Sequence, residues 1–284
     1  MKIKSFFDQA TNTFTYIVHD ESTLDAIIID PVLNYDPASS KISFEGVNLL
    51  EQYTNEHKLK VHYIIETHAH ADHLSSSQIL KERFPESKSA IHENIKTVQE
   101  TFKPIFNMSD LKIDGSQFDI LIKDGDILKA GTLEMKAIHT PGHTPACTSF
   151  LIEDHLFTGD ALFMPDFGTG RCDFPAGSAT DLYETIHDKL YALPEKTKVY
   201  VGHDYGHNGR EIKFQTTIGE SKKHNIQLKA GTNREEFIKW RNERDANLGT
   251  PKLLLQSVQV NIDAGRLPKA EDNGTTYLKM PIIN

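Results

Sequence analysis

Cysteine is scarce in this chain of 284 residues: Cys147 and Cys172 are the only two. Two thiols cannot build a disulfide framework, so the fold must rest on a packed core, and a reducing, cytoplasmic setting is expected. Long apolar runs are missing as well, which excludes a membrane-spanning helix and a membrane partner. The opening stretch MKIKSFFDQATNTF lacks the apolar segment of a secretory signal. Basic charge is in deficit, 31 Lys and Arg against 40 Asp and Glu, a net −9. A surface of that sign is unsuited to phosphate backbones, so nucleic acid is not expected as a partner. Low-complexity linkers and short repeats are absent. With 38% hydrophobic and 25% charged residues, the composition is that of an ordinary globular protein. A single domain over 1–284 is expected, with a helical and strand extension from about 211–284. What the chain does have is histidine, 14 in all.

Periodicity sets out the elements. Thr13–His19 and Asp25–Asp30 are rich in β-branched and aromatic residues and predict an antiparallel pair. Asn34–Ser40 reads as a polar loop, Val47–His57 as a helix and Leu59–Ile65 as a buried strand. Helices are predicted over Ser75–Phe84, Glu93–Phe102, Asp181–Leu190, Glu211–Asn225 and Arg234–Ala246. Short strands are predicted over Phe118–Ile122, Leu133–Ile138, Cys147–Ile152, His155–Thr158, Lys198–Val201 and Thr276–Met280. The alternation gives an α/β fold, either two packed sheets or one large mixed sheet under helices.

The chemistry gathers at strand ends. Glu66-Thr67-His68-Ala69-His70-Ala71-Asp72-His73 follows a buried strand directly. His143 lies in HTPGHT, Asp160 in TGDALF and His203 in GHDYG, each in a loop containing Gly or Pro. Five imidazoles and two carboxylates can supply a mononuclear or a dinuclear site for zinc, iron or manganese. A lone histidine at a strand end is usually a hydrogen-bonded surface residue, and His139 and the remaining histidines are read that way. Three histidines and an acid within six residues are not.

These four motifs resemble the metallo-β-lactamase fold superfamily. The resemblance implies an αββα sandwich, two mixed sheets flanked by helices, with a metal site at one edge. It implies His68, His70 and His143 at one metal position, Asp72, His73 and His203 at a second, and Asp160 between them. Asp30 in IIIDP matches an acid with a structural role in that family. Lactamases themselves usually carry a non-carboxylate ligand where this chain has Asp160. Glyoxalase-II-type thioesterases share the ligands but carry GRFFEG-like and H-E-Y-T stretches. Here Gly170-Arg171-Cys172-Asp173-Phe174 and His203-Asp204-Tyr205-Gly206 are similar instead to persulfide dioxygenases of the ethylmalonic-encephalopathy protein type and their bacterial β-lactamase-like hydrolase relatives. The animal enzymes place a cysteine two residues before the arginine, where this chain has Thr169.

That likeness implies one Fe(2+) per chain on His68, His143 and Asp160, with His70, Asp72, His73 and His203 around it. The alternative is two Zn(2+) ions on all seven residues. The expected activity is oxidation of glutathione persulfide, or a similar small persulfide, to sulfite; the alternative is thioester hydrolysis of the glyoxalase II type. Asp72 and Tyr205 are candidate catalytic side chains. Arg171 and Tyr205 are candidate substrate contacts, Arg171 through its planar fork, with a salt bridge to Asp173 or a bond to a loop carbonyl as the plainer role. Thr144 is a candidate support for the metal ligands. Cys147 reads as packing and Cys172 as a small inert thiol. The oligomeric state, monomer or homodimer, stays open.

Overall fold

In the strand Thr13–His19, Phe14, Tyr16 and Val18 join one apolar cluster while Ile17 joins another, the period-two pattern of a strand buried on both faces. Asp25–Ile29 repeats it: Ile27 and Ile29 go with the first cluster, Ala26 and Ile28 with the second. The computed structural model describes residues 1–282, so the last two residues of the expected domain lie outside the described residues. Among the described residues there are two six-stranded sheets and one three-stranded sheet.

The first large sheet runs in the order Lys2–Asp8, Thr13–His19, Asp25–Ile29, Lys60–Ile65, Lys88–His92, Ile120–Ile122. Its first three strands pair antiparallel, and the pairings from Asp25–Ile29 onward are parallel. The second runs Ile127–Ala130, Leu133–His139, Thr148–Ile152, His155–Phe157, Lys198–Tyr200, Gln215–Thr217, parallel only between His155–Phe157 and Lys198–Tyr200. Both sheets are mixed, as expected. Their inner faces share one cluster, where Tyr16, Ile27 and Ile65 meet Met135, Phe150 and Phe157. Helices Glu45–Glu56 and Ser77–Arg83 close the other side of the first sheet with Val47, Leu50 and Leu80. Leu182, Ile186, Leu190 and Phe237, from the helical stretch Ala179–Leu190 and helix Arg234–Asp245, pack on the shared cluster. Burying faces of two sheets and several helices against one another supplies the apolar burial that two thiols could not replace.

Several expected elements differ. Asn34–Ser40 is not simply a loop: Val32–Asp36 is a strand paired with Lys41–Ser43 across the turn. The helix expected over Glu211–Asn225 forms only over Ile218–His224, because Gln215–Thr217 pairs with Lys198–Tyr200 as an edge strand. Thr217 then caps the helix, its side chain accepting from the Glu220 N–H at 3.1 Å. No strand forms over Thr276–Met280; Lys279 instead exchanges backbone hydrogen bonds with the side-chain amide of Gln259. Gln259 lies on a helix, Leu254–Asn261, that the periodicity did not announce. Strands Lys2–Asp8, Lys88–His92 and Ile127–Ala130 were also not anticipated.

Candidate metal centre

Four strand ends deliver the site. Lys60–Ile65 leads into the loop carrying His68, His70, Asp72 and His73; Leu133–His139 leads to His143; His155–Phe157 leads to Asp160; Lys198–Tyr200 leads to His203. The Phe14 N–H donates to Gly202 O at 2.8 Å, and the Gly202 N–H to Gly159 O at 3.2 Å, which fastens the last two loops to the first sheet.

His68, His143 and Asp160 each turn a ligand atom toward one point, all within 4.8 Å of one another. The His143 Nε2 lies 3.5 Å and the His68 Nε2 3.9 Å from Asp160 Oδ2. Two donors on one ion with bonds near 2.1 Å stand about 3–3.5 Å apart, so these spacings suit a shared metal. The far nitrogens are tied back. Nδ1 of His143 donates to the Arg171 carbonyl at 2.6 Å, and Nδ1 of His68 faces the Thr67 hydroxyl at 3.0 Å. The Nε2 of His68 is buried without a hydrogen-bond partner, as are Nδ1 of His70 and Nε2 of His73. Buried polar atoms left unpaired are costly, and a cation is what would satisfy this set. Burial, with the neighbouring His70 and His143, pushes the His68 pKa well down, keeping the neutral imidazole a metal requires.

A second group lies beside the first. His70, Asp72 and His73 also present ligand atoms within 4.8 Å of one another. Asp72 Oδ2 is 3.2 Å from His73 Nδ1 and 3.4 Å from His203 Nε2, and the Thr13 hydroxyl donates to it at 3.2 Å. Desolvation works against its ionisation, but the imidazoles of His203 and His73 hold the carboxyl well below its usual range. His203 Nε2 is also 3.3 Å from Asp160 Oδ1, and its pKa rises because Asp160 and Asp72 outweigh the cost of burial. His70 Nε2 lies 3.0 Å from Asp30 and 3.3 Å from Glu66, which raise its pKa well up against desolvation. All seven expected metal residues therefore meet at one sheet edge. The other nine of the 14 histidines lie apart from it; His92 and His139 stack on each other at 4.0 Å.

The centre opens into a cavity of about 620 Å³, walled by Asp72, His143, Asp160, His203, Phe167 and Tyr205 among others. Tyr205 is half exposed and packs on the Phe167 ring at 4.5 Å. Arg171 also reaches the cavity, but its guanidinium is engaged: Nε and Nη2 donate to Asp173 at 2.5 Å each, and Nη1 to Gly249 O at 2.9 Å. Both plainer roles considered for it are thus present at once. The Thr144 hydroxyl sits 3.2 Å from Cys147 Sγ, not at the centre. Burial drives the Cys147 thiol up to about 12 and moves Cys172 in the same direction, consistent with inert thiols. Asp30, with φ of 51°, accepts from the Thr67 N–H at 2.7 Å and the Thr67 hydroxyl at 2.9 Å, the contacts of the structural acid noted in the sequence; Asn261 was not anticipated. The Asn261 amide donates to His70 O and His73 O and accepts from the Ser75 N–H, each at 2.8 Å.

The sequence profile of the metallo-β-lactamase superfamily matches residues 9–203. The chain belongs to this superfamily. A protein named Glyoxylase B2, from Dictyostelium discoideum, is 48% identical over 99% of this chain and 97% of its own. The human protein named persulfide dioxygenase ETHE1, mitochondrial, is 32% identical over 93% of this chain and 88% of its own. The crystal structure of ETHE1 from Myxococcus xanthus superposes with a TM-score of 0.76 at 33% identity, covering 94% of this chain and all of that one. As a superfamily member the chain has the make-up of a metal-dependent enzyme, and no helix among its described residues is long and apolar enough to cross a membrane.

Proposed function

We propose that this protein is a persulfide dioxygenase using one Fe(2+) per chain, oxidising glutathione persulfide or a similar small persulfide to sulfite. The carrying observation is the convergence of His68 Nε2, His143 Nε2 and Asp160 on one point, with both Nδ1 atoms turned away. Two imidazoles and one carboxylate suit ferrous iron, which His68, His143 and Asp160 would hold and which would supply the redox chemistry with dioxygen. The reaction balances as persulfide, dioxygen and water giving thiol, sulfite and two protons. Asp72 lines the cavity with Oδ2 3.2 Å from His73 Nδ1 and 3.4 Å from His203 Nε2, so its carboxylate orients these two imidazoles beside the centre. Tyr205 and Phe167 pack together as an aromatic wall of the cavity, against which a small persulfide would lie. The similarity to the human protein named persulfide dioxygenase ETHE1, and to the crystal structure of ETHE1 from Myxococcus xanthus, supports the same reading.

A dinuclear zinc thioesterase is the second reading, favoured by the second group of His70, Asp72 and His73 and by the relative named Glyoxylase B2. Oxygen uptake with glutathione persulfide, run beside hydrolysis of a glutathione thioester, separates the two. Stoichiometric oxygen consumption with sulfite release is expected; thioester hydrolysis without oxygen uptake would overturn the first reading.

A further inference from the structure

The loop between Thr169 and Cys172 touches the centre more closely than its side chains suggest. The missing Cβ of Gly170 would stand 2.0 Å from the Asp160 carbonyl oxygen and 3.4 Å from His143 Cβ. One residue on, the Arg171 carbonyl receives the His143 Nδ1–H at 2.6 Å. That carbonyl is therefore what sets the rotation of the His143 ring. What holds the carbonyl is a pair of charged residues one turn apart on the helix Arg234–Asp245. Arg241 Nη1 donates to Gly170 O at 2.9 Å, and Asp245 Oδ2 accepts from the Cys172 N–H at 2.7 Å. Arg171 is thus gripped on both sides. Within the grip Arg241 Nη2 is 3.1 Å from Asp245 Oδ1, and the two side chains are 2% and 4% exposed.

We infer that Arg241 and Asp245 are positioning residues for the metal centre, acting through the Arg171 carbonyl on His143. An ion pair so fully desolvated is weak evidence for stability, since apolar residues of similar volume often do as well. Its hydrogen bonds to the backbone on either side of one carbonyl, to Thr169 O and Gly170 O before it and from the Cys172 N–H after it, point to positioning as its role. The Arg171 carbonyl is the partner one step from the ligand, a kind of contact that typically governs metal affinity 10–100-fold, and Arg241 and Asp245 stand one step further out, holding it in place.

The inference rests on His143 as a ligand in the centre described above. Its test measures Co(2+) affinity by chelator competition and the visible spectrum of the cobalt protein, beside thermal unfolding without metal. Arg241→Lys keeps a cation against Asp245 but cannot reproduce the fork that reaches Gly170 O. Arg241→Met combined with Asp245→Leu removes the grip without stranding a buried charge, and decides the matter where the single variant fails to fold. Lys239→Ala, exposed on the same helix, is the control. The folded variants are expected to bind Co(2+) at least about tenfold more weakly, with a changed spectrum, while Lys239→Ala matches the wild type. Unchanged affinity and spectrum in a folded variant would overturn the positioning role. A wild-type protein that binds no Co(2+) would instead overturn the centre itself.

Discussion

At the scale of single residues, the tautomer of each candidate ligand is the governing detail. Thr67 serves His68 and Asp30 together: its hydroxyl donates to Asp30 Oδ2 and lies 3.0 Å from His68 Nδ1. Thr67→Val keeps the shape but loses both contacts, so metal affinity should fall about 10–100-fold, read by chelator competition; an unchanged constant would remove Thr67 from the centre. His92 carries a different signal. Burial, with the facing His139 ring, pushes its pKa down to about 4. The unfolded chain accepts that proton near pH 6.5, so the stability is fully present above that value and is lost as pH falls toward 4. His92→Phe keeps a stacked ring without the proton. Between pH 7 and pH 5, urea denaturation should show it losing about 1–2 kcal/mol less than the wild type, allowing for partial screening. Equal pH dependence would show that His92 does not titrate this way. Arg171 shows why residue-level reading stopped short: a guanidinium two residues before an aspartate can bond it locally, and only the fold reveals that the backbone carbonyl matters.

Among elements, those with a clear period were legible and those held by side chains or edges were not. Thr13–His19 is a strand over the expected residues because every position is buried, and Arg234–Asp245 is a helix because Asn233 caps it and Phe237 anchors it. Lys2–Asp8 and Ile127–Ala130 are edge strands with half their side chains in solvent, which dilutes the pattern. Leu254–Asn261 has a weakly sided sequence and is fixed by tertiary contacts, Asn261 above all. Its amide replaces a strand partner for the histidine loop. Asn261→Ala strands the His70 and His73 carbonyls and the Ser75 N–H in the interior, so unfolding free energy should fall by about 3 kcal/mol in urea titration. A loss below about 1 kcal/mol would mean that water takes over the amide's hydrogen bonds. Gly142, with φ of 141°, was legible as a turn residue, but its reason was not: a Cβ there would meet the Leu182 backbone at 2.5 Å, where the helix Ala179–Glu184 crosses the HTPGHT loop.

For the whole molecule, the two mixed sheets bring segments far apart in sequence to one edge, from His68 to His203. That convergence, and a division into two donor groups, could be anticipated from the motifs; their membership could not, because His70 stands with Asp72 and His73 rather than with His68 and His143, which depends on which nitrogen each ring turns inward. The claim with most at stake is that one iron sits on His68, His143 and Asp160, with His70 and His203 outside its coordination. Metal content after anaerobic purification, compared between the wild type, His68→Ala and His203→Ala, tests it most directly. The account predicts a single iron per chain in the wild type, retained in His203→Ala and lost in His68→Ala. Two zinc ions per chain, with one lost on removing His203, would contradict it.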